Sequence, residues 1–62
     1  MTLRIVIEMS NAAFEDAQGE PARILKHVVK GIEEGSLEMS LGSRMRLRDI
    51  NGNNVGEARV TR

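Results

Sequence analysis

The stretch Met45-Arg46-Leu47-Arg48-Asp49-Ile50-Asn51-Gly52-Asn53-Asn54-Val55-Gly56-Glu57-Ala58-Arg59-Val60 holds two extended halves joined by Asn51-Gly52-Asn53-Asn54. Asn-Gly between β-patterned runs is the strongest short-range hairpin signal, because both residues tolerate the positive φ of a tight turn. The spacing predicts strands over Arg44 to Ile50 and Val55 to Thr61. In the first, Met45 and Leu47 point inward and Arg44, Arg46 and Arg48 outward. The turn decides the register. A four-residue loop pairs Ile50 with Val55, Leu47 with Ala58 and Met45 with Val60, and sets Arg48 opposite Glu57. A type I turn with Gly52 in a bulge would instead place Val55 opposite Leu47. The first keeps the apolar set on one face and is the register expected.

A lone hairpin is marginal in water, so the rest of the chain must supply a third strand and a covering helix. Leu3 to Met9 alternates as a strand, with Leu3, Ile5, Ile7 and Met9 on the core face and Val6 apolar on the other. Ser10 to Glu20 carries the turn formers Asn11, Asp16, Gln18 and Gly19 and reads as a loop. Phe14 in its middle either folds back to plug the core edge or stands out as an anchor for a partner. Pro21 to Glu34 reads as a helix, with Pro at the start and Gly35 as the left-handed stop. Ile24, Leu25, Val28, Val29 and Ile32 share one arc, opposite Arg23, Lys26, His27, Lys30, Glu33 and Glu34. Gly31 within the helix costs on the order of 1 kcal/mol relative to Ala, and close approach of another backbone would explain it. Ser36 to Ser43 is a connection in which Leu37, Met39 and Leu41 alternate as if in a short extra strand.

The order β-α-β-β predicts an α+β fold: a three-stranded antiparallel sheet, order 1-3-2, with one helix packed on one face and a right-handed crossover. The first strand then lies on an edge. It is the most apolar strand, and edge pairing with a second copy would cover it. A homodimer is the expected state.

Sixty-two residues make one domain, spanning 1–62. Such a chain buries only about 60% of the surface it exposes when unfolded. With no Cys and one His, neither a disulfide nor a multi-His or thiolate metal site is available within one chain. One Phe is the only aromatic, so the core is aliphatic. The opening MTLRIVIE lacks the pattern of a signal peptide, and no run approaches the ~20 apolar residues of a membrane span. A cytoplasmic location away from membranes is expected. Net charge is zero but unevenly spread. Glu8 to Glu38 holds seven acidic and three basic residues, whereas Arg44 to Arg62 holds five Arg against Asp49 and Glu57.

The residues argue against an enzyme. There is no Cys nucleophile, the Ser residues lie in polar connections, and the only His falls on the outer helix face. Adjacent Glu33 and Glu34 project ~100° apart. No Gly-rich phosphate loop exists and no cofactor is expected. Binding remains. The outer sheet face is expected to carry Arg4, Arg46, Arg48 and Arg59, interleaved with Glu8 and Glu57. Those four arginines and Phe14 are the candidate partner-binding residues of a protein-binding module. Nucleic acid is the alternative partner, but no exposed aromatics are expected for base stacking and the pI is about 6.6.

The segment Asn11-Ala12-Ala13-Phe14-Glu15-Asp16, the Ala22-Arg23-Ile24-Leu25 helix, and Leu47-Arg48-Asp49-Ile50-Asn51-Gly52-Asn53 running into Val55-Gly56 together resemble a group of very short bacteriophage and prophage proteins. The resemblance covers most of the chain. No activity is established for the group, so no functional residue carries over. It implies the cytoplasm of a bacterial host and a non-catalytic role as inhibitor of a host protein, such as a bacterial defence complex of the CRISPR type.

Overall fold

The computed structural model describes residues 1–15 and 19–62. Asp16 and Gln18, two of the expected turn formers, lie outside the described residues. Alternation at the start of the chain yields strand β1 (Thr2–Ile7). Asn11 then caps a single 3-10 turn (Ala12–Phe14), its Oδ1 accepting the Ala13 N–H at 3.0 Å. Helix α1 (Glu20–Glu34) begins one residue ahead of Pro21, in the first turn where the missing proline N–H costs no bond. It ends as expected at Gly35, whose φ of 85° is left-handed and open to glycine without strain. Strands β2 (Arg44–Arg48) and β3 (Asn54–Thr61) complete the chain.

The sheet order is β1-β3-β2 with both pairings antiparallel, and the helix lies on one face. The α+β reading of the sequence is therefore the architecture. Ile24 and Val28 from α1 meet Leu47 of β2 and Val55 and Ala58 of β3 in the core. No helix among the described residues is long and apolar enough to cross a membrane.

Four local expectations need correction. The first is the hairpin register. Gly52 N–H donates to the Asp49 carbonyl at 3.0 Å and Asp49 N–H to the Asn53 carbonyl at 2.9 Å. With Gly52 at φ 86°, this is a three-residue loop built on a tight turn and a glycine bulge. A second irregularity follows: Arg48 faces Asn54 but Leu47 faces Gly56, which leaves Val55 as an extra residue on β3. Met45 thus lies opposite Ala58, and Glu57 opposite Arg46 rather than Arg48. Ile50 does not pair with Val55; it sits exposed in the turn.

The second is the core face of β1. Ile7 packs against the core, but Leu3 and Ile5 stay 41% and 39% exposed. The third is the Ser36–Ser43 connection, which forms turns and bends rather than a strand. Leu37 at its start is nevertheless fully buried, and its N–H donates to the Gly31 carbonyl at 3.1 Å. The fourth is Gly31: a Cβ there would meet the Met45 sulfur at 3.0 Å, so a side chain rather than a backbone approaches it.

Candidate functional site

Two buried carboxylates fix the end of the sheet. Asp49 lies in the hairpin turn and accepts from Asn51 N–H at 2.9 Å, Asn53 N–H at 2.8 Å, Asn53 Nδ2 at 3.1 Å and Asn11 Nδ2 at 2.8 Å. Glu20 accepts Ile50 N–H at 2.7 Å and is gripped by Arg23 through Nε at 2.5 Å and Nη2 at 3.1 Å. The same Nη2 donates to the Arg48 carbonyl at 3.1 Å. Burial alone would raise the Asp49 carboxyl, but the donors from Asn53, Asn11 and Asn51 outweigh it and hold its pKa below the ordinary value. Arg23 likewise holds Glu20 down against desolvation. Every buried side-chain polar atom among the described residues has a partner. The network ties the 3-10 turn, the helix start and the hairpin tip together. A one-residue slip in a strand reverses its faces, so this clamp decides which side chains reach the outer face.

On that face, Arg4 of β1 lies directly opposite Arg59 of β3, and Arg59 directly opposite Arg44 of β2. Three guanidinium groups therefore stand in one row across the sheet. The next row is Val6, Glu57 and Arg46. Both rows line a shallow concavity of about 550 Å³ together with Asn54 and Gly56. Four arginines and one glutamate give the concavity a net charge of +3. The only ion pair here among the described residues is a loose one, Arg59 Nη1 to Glu57 Oε1 at 3.9 Å. Like charges placed directly opposite cost roughly 0.2–1 kcal/mol per pair. A row of this kind is a poor way to stabilise a sheet and a good way to hold an anion.

Of the candidate residues, the fold brings Arg4, Arg46 and Arg59 together on this concavity. Arg48 is outside it; its Nη1 donates to the Gly52 carbonyl at 3.4 Å. Phe14 is half-buried against the core, the plug position, and does not line the concavity. Arg44 was absent from the candidates and completes the row. Its outward position in the strand pattern was visible; its alignment with Arg59 and Arg4 needed the bulge. Glu20 and Asp49 had no sequence signal beyond turn chemistry. Among the described residues no cluster of three or more His, Asp or Glu could hold a metal ion.

No protein-family model matches this chain, and neither do any curated protein or solved structure.

Proposed function

We propose that this chain is a small non-catalytic binding module whose outer sheet face docks onto an acidic surface of a partner protein. The observation that carries this reading is the Arg4–Arg59–Arg44 row, three cations in register with one loose counter-charge nearby. Arginine is suited to the task because its planar fork bonds carboxylates bidentately and is weakly hydrated. The resemblance to short phage and prophage proteins supports a host protein as the partner, in the cytoplasm, with inhibition by occlusion as the mode. A bacterial defence complex is one such target. The test is affinity capture from bacterial lysate with the unmodified chain and with an Arg44→Glu, Arg59→Glu variant. One dominant acidic protein is expected with the first and none with the second. Equal capture by both rules out the sheet face. Lys26→Glu on the helix serves as the charge control.

Nucleic acid is the second reading, since the same row also suits phosphates. The sole aromatic side chain packs against the core, so no stacking platform accompanies the cations. Fluorescence anisotropy with labelled single- and double-stranded DNA separates the readings. Tight binding with a steep salt slope favours nucleic acid, and no binding at low salt removes it.

A further inference from the structure

The open edge of β1 carries an unused, self-complementary pattern. Glu8 N–H donates to the Val55 carbonyl at 2.7 Å, continuing the ladder that runs from Thr2–Thr61 to Ile7–Gly56. In an antiparallel ladder alternate residues turn both backbone groups to the same neighbour. Thr2, Arg4, Val6 and Glu8 therefore bond β3, while Leu3, Ile5 and Ile7 direct theirs to an edge with no strand beside it among the described residues. That edge is apolar on the helix side, and on the other side it holds Val6 between Arg4 and Glu8. Leu3 and Ile5 stay half-exposed on the helix side, and Val6 is 62% exposed on the other. Gly31 faces Met45 of β2, so by helix geometry the exposed Leu25 and Val29 fall on the flank turned away from β2.

We propose that a second copy of this chain completes the edge by antiparallel β1–β1 pairing about a two-fold axis at Val6. Charge selects this register. Centring the axis on Arg4 would oppose two like charges. Centring it on Ile5 would set each Arg4 against a valine and leave its charge without a counter-charge opposite. Centring it on Val6 sets Arg4 of each copy opposite Glu8 of the other, twice, with the two Val6 side chains between them. On the helix side it sets Ile5 opposite Ile7 and Leu3 opposite Met9, which is itself exposed. Both copies gain edge hydrogen bonds, and the sheet becomes six-stranded with the two arginine concavities on one continuous surface. The pairing stands on the edge of β1 and does not depend on what the arginine face binds.

Three measurements test it. Light scattering of the unmodified chain at high micromolar concentration should return twice the 6.9 kDa of one chain. Arg4→Glu or Glu8→Arg alone should weaken the dimer roughly tenfold, since each turns two attractions into repulsions. The Arg4→Glu, Glu8→Arg double swap should restore it to within roughly twofold of the unmodified chain. Both positions are exposed, and circular dichroism checks that each variant folds. Val6→Cys provides the readout that needs no charge change. The chain has no other cysteine, and a non-hydrogen-bonded antiparallel pair holds Cα atoms ~4.5 Å apart, within disulfide reach. Oxidation should link Val6→Cys chains far faster than chains carrying the exposed control Glu38→Cys. A monomer mass, or linking no faster than the control, overturns the pairing. A dimer insensitive to both charge reversals overturns the register.

Discussion

Replacing Gly56 by alanine tests how closely β3 is held against β1. A Cβ at residue 56 would lie 1.8 Å from the Val6 carbonyl oxygen, 2.9 Å from its carbon and 3.2 Å from the Ile7 Cα. All three neighbours are backbone, so no rotamer change relieves the overlap. Reaching an ordinary contact of 3.4 Å requires the strands to part by roughly 1.5 Å at the bulge. The Glu8–Val55 bond of 2.7 Å lies beside this point and would break. Overpacking costs about 1–3 kcal/mol, and one or two lost backbone bonds add ~1 kcal/mol each. The expected loss is ~2–5 kcal/mol, against a total stability of ~3–9 kcal/mol for a chain of this length. Urea unfolding followed by far-UV circular dichroism measures it. With a slope near ~1 kcal/mol/M, the midpoint should fall by ~2 M or more. Hydrogen exchange should show the β1 amides losing protection first. A midpoint within ~0.5 M of the unmodified chain, with β1 protection intact, would refute the reasoning.

The other expectations concern the helix, the connection and the carboxylates. Gly31→Ala should stabilise the fold by up to ~1 kcal/mol in the same urea assay, because helix propensity improves and the flexible Met45 thioether at 3.0 Å can move aside. Leu37→Ala should cost ~2–5 kcal/mol, enough to leave much of the chain unfolded by circular dichroism, since Leu37 is buried to 1% exposure. Glu20 and Asp49 both titrate below their ordinary values of 4.5 and 3.8, so their contribution is complete above that range and fades as pH falls through it toward the depressed values. The urea midpoint should therefore hold from neutral pH down to about 5 and decline below it, with a shallower decline in Asp49→Asn.

The sequence made the elements legible where one rule dominated. Pro21 and Gly35 bound an amphipathic run, and β-α-β-β order leaves few topologies for one helix and three strands, so α1 and the 1-3-2 sheet could be read directly. The hairpin register could not. Its turn depends on Asp49 accepting from Asn51 and Asn53 backbone groups, and its second bulge depends on Gly56 approaching Val6. Both are tertiary facts at residues whose types suit any turn. The helix position was equally hidden. Apolar alternation in β1 matched a buried strand, yet α1 sits over β2 and β3, which leaves Leu3 and Ile5 half-exposed. Leu37 lay in a segment whose alternation imitated a strand, although one anchor side chain was its only buried feature. For the arginine face, outward positions were readable from period two. Which arginines stand in one row was not, because that follows from the register.

If the row of Arg4, Arg59 and Arg44 serves binding, it does so at the expense of the fold, and Arg59→Gln separates the two. Neutralising the middle charge removes two like-charge contacts of roughly 0.2–1 kcal/mol each and one exposed ion pair of little value. The decisive measurement is urea stability and partner capture on the same Arg59→Gln sample. The account predicts a more stable protein, by ~0.5–1 kcal/mol, that no longer retains its partner. A variant that is less stable and binds unchanged would contradict it.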